Sequence, residues 1–240
     1  EDTVIALTGA DMQSTVNQEP IAMNQAVKVP AGGVLNLGMA KTGCRTYLAV
    51  AGGFEVPKVM GSYSTNLKCG IGGHEGRALQ MGDELPIGEA LHSWDEVKDR
   101  KVSVPDYPKE VLVSVVPGPQ EEYFTEAGIR HFYSESYEVT EFCDRMGYRL
   151  EGTEVESKNG TDIVSDGIVF GSVQIPSSGK PIILMADHQT TGGYAKIGTV
   201  IQADLPKVAQ CKPGDRIRFR KVSVEEAQEI SRKERKKECF

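Results

Sequence analysis

The feature that most limits this sequence is its punctuation: apolar residues come in runs of four to seven, and Gly, Pro or Asn lies close to nearly every run. A helix packed on a core instead repeats its apolar positions every three to four residues over several turns. Val4 to Leu7, Val34 to Leu37, Thr46 to Ala51, Val111 to Val116, Ile182 to Ala186 and Ile197 to Ala203 are short, β-branched and bounded by turn residues. They read as strands. The 26 glycines in 240 residues, about one and a half times the usual share of roughly 7%, supply the turns that such a mainly β chain needs.

Three of those turns repeat one device. Pro30-Ala31-Gly32-Gly33, Met81-Gly82-Asp83 and Pro213-Gly214-Asp215 each set a glycine just before an outgoing strand, where Gly tolerates positive φ and the Asp bonds back to the turn. Helical signals are few. Pro119 to Ala127 suits a short helix with acids in its first turn, where the helix dipole favours them. Ser223 and Glu226 form a capping box, and the charged run from Arg232 to Lys237 behind them reads as a frayed, solvated tail. The charged, proline-punctuated stretch from Glu89 to Pro108 is the best linker. It divides the chain into pieces of about 90 and about 130 residues, both of domain size.

Several classes of function fall away. A net charge of −7 argues against a nucleic-acid surface or general attraction to anionic lipid, and no segment reaches the 18 or so apolar residues of a membrane helix. The five cysteines lack the short spacings of a zinc site or redox dithiol, so they read as reduced thiols of a cytoplasmic protein. There is no Walker lysine motif and no Gly-x-Ser-x-Gly elbow. His74, His92, His131 and His188 stand apart from one another, which gives no metal site. The chain also reads as starting in mid-domain, since Val4 is already strand-like and neither a start methionine nor a signal peptide precedes it.

The densest polar cluster follows a strand: Asp187-His188-Gln189-Thr190-Thr191-Gly192-Gly193-Tyr194-Ala195-Lys196. Loops held by rigid strands are where sites gather. The Gly192-Gly193 pair is expected to turn N–H groups toward an anion, with Thr190 and Thr191 adding hydroxyl donors. Asp187 and His188 are candidates for moving a proton. The same composition also describes a hydrogen-bonded turn or bulge. A second cluster, Asp144-Arg145-Met146-Gly147-Tyr148-Arg149, offers two guanidiniums for a carboxylate or phosphate, and equally suits a strand of alternating charge.

In order and spacing these segments resemble the allophanate hydrolase subunit 2 family, also described as carboxyltransferase subdomains A and B. The resemblance rests on Leu7-Thr8-Gly9-Ala10-Asp11, on Gly43 to Gly53, on Gly61-Ser62-Tyr63-Ser64-Thr65, on Asp144 to Leu150, on Gly171-Ser172-Val173-Gln174-Ile175-Pro176 and on Ala186 to Tyr194. It spans nearly the whole chain. It departs from the family where Tyr63 and Asn66 stand in place of an arginine and an aspartate, and where His188 stands at a position commonly arginine. A Gly-Arg-x-Gly-Tyr motif of the family's N-terminal segment is missing, and Asp144 to Tyr148 resembles its counterpart in the second half.

The resemblance implies two tandem cyclophilin-like β-barrel domains with few short helices: a first barrel over 1–90 without its N-terminal part, a linker over 91–108, and a second barrel over 109–240 ending in a helix. It implies the role of the C component in a bacterial ATP-dependent 5-oxoprolinase, which opens 5-oxoproline to glutamate. The partners would be a B component of the allophanate hydrolase subunit 1 family and an A component of the LamB/YcsF type, with ATP used at the level of the complex. Asp187, His188 and Thr191 are then the catalytic candidates. Arg145, Gln174, Gln189, Thr190, Gly192, Gly193, Tyr194 and Lys196 are the substrate-binding ones. Two alternatives stay open: a biotin-dependent carboxyltransferase of the urea carboxylase type, or a non-catalytic module that binds a kinase-inhibitor partner.

Overall fold

The computed structural model describes residues 1–238. The chain divides into two compact units, one of residues 1–41 and 46–105, the other of residues 42–45 and 106–240. The fold is mainly β.

The first unit carries six short strands in two sheets. β1 (Thr3–Asp11) lies between β4 (Ala26–Val29) and β6 (Thr42–Val50), and β2 (Thr15–Val16) lies between β3 (Glu19–Pro20) and β5 (Leu35–Asn36). Ile5, Val16 and Val29 form its small core, with Leu35, Leu48 and Val50 against them. Beyond β6 the chain is held by turns and isolated bridges such as Phe54 to Ile87. There Arg77 pairs with both Glu75 and Asp83 at 2.7 Å. Residues 91–105 contain α1 (Trp94–Val97) and are bonded within this unit: Asn24 Nδ2 donates to the Ser103 carbonyl, and the Val102 N–H donates to the Asn24 carbonyl, both at 3.0 Å.

The second unit holds β7 (Glu110–Pro117), β8 (Ser136–Cys143), β9 (Gly147–Glu151), β10 (Asp162–Gly167), β11 (Ser172–Ile175), β12 (Ile182–Leu184), β13 (Thr191–Val200) and β14 (Arg216–Lys221). They pair in the order β10-β13-β11-β12-β9-β8-β14-β7, and β13 also pairs with β7. That last pairing closes seven strands into a ring, and β10 is left outside it on the flank of β13. Closure removes the free edges an open sheet would expose. The β14–β7 pair is parallel while its neighbours are antiparallel. Inside the ring Val113, Tyr137, Tyr148, Ile175, Ile183, Ile197 and Ile217 are fully buried. α2 (Glu126–Ser134), capped by the Thr125 hydroxyl, presents Ile129, Phe132 and Tyr133 to this core. Phe132 stacks on Phe219 with 4.3 Å between ring centres.

Gly32, Gly82 and Gly214 all have positive φ as the sequence suggests, but only Gly32 and Gly214 lead into strands; Gly82 is followed by the single bridge at Ile87. Asp83 and Asp215 accept the N–H of Gln80 and Lys212, at 2.7 and 2.9 Å. The Ser223 capping box closes reciprocally onto Glu226. Three local expectations need correction. The segment after Pro119 splits into a 3-10 turn at Glu121–Tyr123 and then α2, because the Thr125 cap starts a new helix. The charged run from Arg232 to Lys237 is not frayed but lies in α4 (Val224–Glu238), since its residues are good helix formers. The strand expected at Ile197 to Ala203 begins earlier, at Thr191, and ends at Val200.

Asp204, 4% exposed, ties the segment after β13 to the barrel: its carboxylate accepts the Ser114 N–H of β7 at 2.7 Å and the Lys207 ammonium at 2.6 Å. Replacing it with alanine strands a buried donor, which costs about 1–3 kcal/mol. Asp204→Ala is therefore expected to lower the urea unfolding midpoint clearly, and Asp204→Asn, which keeps an acceptor, to lower it less. Equilibrium unfolding of the three proteins checks this.

Candidate functional site

The strand registers decide which of the expected residues can meet. Arg149 of β9 stands opposite Ile182 of β12, Ile182 opposite Gln174 of β11, and Gln174 opposite Lys196 of β13. Cross-strand neighbours share a face. Tyr148, Ile183 and Ile175, one residue along their strands, are in the core, so the row Arg149-Ile182-Gln174-Lys196 lies on the outer face of the barrel. A bulge between Val173 and Gln174 against β13 keeps Lys196 in that row; without it the side chain at that point would flip inward.

Outer-face polar residues are normally exposed, yet Gln174 is 2% and Lys196 4% accessible. β10 lies alongside this part of β13 and partners it. Its Asp166 pairs with the Lys196 ammonium at 2.7 Å, and this bond, with the Gly167 N–H, holds the Asp166 carboxyl below the usual aspartate range. Gln174 Nε2 donates to the Tyr194 carbonyl at 3.4 Å. A carbonyl only accepts, so the amide nitrogen must face Tyr194 and Oε1 must face away.

Beside the row opens a pocket of about 400 Å³ whose walls include Asp144, Arg149, Gln174, Ile182, Gln189 and Tyr194. Three expected residues, Gln174, Gln189 and Tyr194, come together there. Asp144 and Arg149 join them; both belong to the second polar cluster, but only the pairing of β9 with β12 reveals their place. Asp144 accepts the N–H groups of Met146 and Gly147 at 2.8 and 3.1 Å, which shapes the turn into β9.

Arg145 is committed elsewhere. Its guanidinium makes a two-pronged pair with Asp187, Nε to Oδ2 at 2.7 Å and Nη2 to Oδ1 at 2.9 Å. The backbone supports this, as the Asp187 N–H donates to the Arg145 carbonyl at 2.7 Å. Arg145 thereby keeps the Asp187 carboxyl low and ionised, which leaves Asp187 a poor carrier of protons. His188 differs. Its Nδ1 lies 2.7 Å from the Gln189 carbonyl, so Nδ1 carries a hydrogen and Nε2 is the nitrogen left for proton exchange.

The expected loop from Asp187 to Lys196 is a turn only as far as Thr190; Thr191 onward is β13, paired with β10 through Gly167 to Thr191 and Asp166 to Gly192. Gly192 and Gly193 are accordingly strand residues without positive φ. An anion-binding nest alternates right- and left-handed residues, so this pair forms none. Gly192 serves close approach instead: a Cβ there would sit 2.7 Å from Gln174 Nε2 and 2.6 Å from Ile168 Cδ1. Thr190 accepts the Ile168 N–H through its carbonyl at 3.0 Å, while Thr191 is exposed.

Behind the site, the segment Thr42–Arg45 is held by Gln210, whose Oε1 accepts the N–H groups of Cys44 and Arg45 and whose Nε2 donates to the Arg45 carbonyl, all at 2.9 Å. Arg45 in turn bonds the Tyr148 hydroxyl. Burial pushes the Tyr148 hydroxyl and the Cys211 thiol each up to about 12. Cys44, Cys69, Cys143 and Cys211 are free thiols. Among the described residues no helix is long and apolar enough to cross a membrane.

Residues 1–221 match the carboxyltransferase domain family, subdomains A and B. The chain is 38% identical to the C component of 5-oxoprolinase from Haemophilus influenzae, over 97% of this chain and 74% of that protein. It is 40% identical to the protein of the same name from Escherichia coli, over 94% of this chain and 72% of that one. The crystal structure of K. lactis urea amidolyase superposes with a TM-score of 0.86 at 28% identity, covering 98% of this chain but 15% of that one.

The pairs Asp166–Lys196 and Asp187–Arg145 give a pH signature. Both carboxyls sit below the ordinary value of 3.8, so each contributes stability that is present above that value and is lost as pH falls through its folded pKa. Wild-type protein is expected to lose unfolding free energy on going from about pH 5 to about pH 3. Lys196→Met, which removes the partner of Asp166, should flatten that fall. Urea unfolding at stepped pH measures the slope.

Proposed function

Since the chain belongs to the carboxyltransferase domain family, subdomains A and B, we propose that it works as the C component of an ATP-dependent 5-oxoprolinase, opening 5-oxoproline to L-glutamate. The observation that carries this reading is the 38% and 40% identity to two proteins of that name, each matched over more than nine tenths of this chain. The net reaction adds water across the lactam C–N bond, leaving a new carboxylate on the carbonyl carbon and a free amine on the nitrogen. ATP hydrolysis by the complex drives it, and this chain brings no Walker motif for the nucleotide.

In this reading the outer-face pocket is this chain's share of the site. His188, next in sequence to the pocket residue Gln189, is the group that moves a proton, through Nε2, because Asp187 is held as a carboxylate by Arg145. Asp187 then sets the turn that places His188, and Thr191 offers its hydroxyl from the start of β13. Gln174 lines the pocket, and Lys196 beside it holds β10 through Asp166. A B component of the allophanate hydrolase subunit 1 type and an A component of the LamB/YcsF type complete the assembly in the cytoplasm; the closed ring of the second unit is the cyclophilin-like barrel, and the first unit's two three-stranded sheets are a partial domain of the same type. The second reading, carboxyl transfer from carboxybiotin, is favoured by the TM-score of 0.86 with urea amidolyase.

The test is reconstitution. Co-produced with its A and B partners, the chain should support glutamate formation that requires both ATP and 5-oxoproline. His188→Gln is expected to lower kcat by roughly 10²- to 10⁴-fold, the usual share of general acid–base catalysis. Glutamate is read by an enzyme-coupled assay. A preparation that instead carboxylates urea, with a biotin carboxylase and biotin carrier added, decides for the second reading.

A further inference from the structure

Arg149 is the cation of this pocket that the protein leaves unspent. Arg145 is bound to Asp187 and Lys196 to Asp166, whereas the Arg149 guanidinium makes no ion pair among the described residues and is exposed on the pocket wall. Two carboxylates share that wall, Glu141 and Asp144. Asp144 is spent on the Met146 and Gly147 N–H groups, and Glu141 does not pair with Arg149.

The second observation is Gln174. It is 2% exposed, its nitrogen is turned to the Tyr194 carbonyl, its Oε1 accepts no hydrogen bond among the described residues, and it lines the same pocket. Oε1 is not one of the polar side-chain atoms buried without a partner, so it is open to the pocket as a free acceptor. The pocket is where a donor for it can come from. Gln174 and Arg149 both stand opposite Ile182, one on each side of β12, so their Cα atoms are about 10 Å apart, twice the strand spacing. A ligand of a few atoms reaches both side chains across the Ile182 side chain.

We infer that Arg149 and Gln174 form a two-point subsite for a small cyclic amide acid, with Arg149 binding its carboxylate and Gln174 Oε1 accepting its ring N–H. The inference rests on the 5-oxoprolinase reading and sharpens it. It names the residues that select an anionic lactam over urea, which offers N–H groups but no charge. Ile182 between them faces the aliphatic edge of the ring. The hydrogen-bonded Gln174 cannot rotate to donate without losing Tyr194, so the polarity of the subsite is fixed: N–H at one end, anion at the other.

Ligand-observed NMR on the full chain tests this with three probes: L-5-oxoproline, pyrrolidin-2-one, which lacks the carboxylate, and cyclopentanecarboxylate, which lacks the N–H. Wild type is expected to bind 5-oxoproline best. Arg149→Met should weaken 5-oxoproline at least tenfold, to the level of pyrrolidin-2-one, and leave pyrrolidin-2-one unchanged. Arg149→Lys should restore part of the loss. Gln174→Leu should bring 5-oxoproline down to the level of cyclopentanecarboxylate, with thermal melting checking its fold; Arg149 is exposed, so its arm stands independently of folding. Wild-type affinity in Arg149→Met, equal binding of the three probes, or no binding by wild type overturns the subsite. The two readings fail separately. If the chain binds as expected but the assembled complex forms no glutamate, the assigned reaction is wrong and the subsite stands. If the complex is active and Arg149→Met leaves KM for 5-oxoproline unchanged, the subsite is wrong and the reaction stands.

Discussion

The pairing of β13 with β7 is the constraint on which the second unit depends. It closes the ring, and closure sorts every strand residue into an inner and an outer set. Inner positions such as Tyr148, Ile183 and Ile197 are fully buried, and burying them is the main source of stability. Outer positions are thereby released from packing duty. Between Thr191 and Tyr194, β13 runs beyond its partner β11, and this surplus pairs with β10. This strand outside the ring accompanies a stretch of outer face where Gln174 and Lys196 are buried, and its Asp166 supplies the charge that Lys196 requires.

Much of the local structure was legible. The Ser223–Glu226 capping box and the turns at Gly82 and Gly214 involve residues within a few positions of one another, so their chemistry is written in consecutive residues. The apolar runs fell in or against strands for the same reason. The clusters around Asp144 and Asp187 were also visible as dense polar stretches, and the structure joins them through Arg145 and Asp187, 42 residues apart.

What stayed hidden depends on pairing between distant segments. Arg145 and Arg149 are equivalent by composition; one lies in a turn that meets Asp187, the other in β9 beside Ile182, and no spacing rule separates them. Gly192 and Gly193 looked like a turn because a glycine that permits positive φ and a glycine that permits close approach are the same letter. Only the Ile168 and Gln174 side chains, packed where a Cβ would stand, distinguish the two. The outer-face row likewise needs the bulge beside Gln174, since an unbroken register would turn Lys196 away from it.

A pocket on the outside of a closed barrel has a physical consequence for chemistry. Inside, Tyr148 sits where burial raises its pKa, packed among the core residues and bonded by Arg45. Outside, Arg149 and His188 are reachable, but water screens a guanidinium and weakens its hold on an anion by several-fold relative to a dry site. Strong electrostatic stabilisation needs water excluded at the moment of reaction. β10 shields only the Lys196 flank. A second surface laid over the Arg149 flank would supply that dry environment.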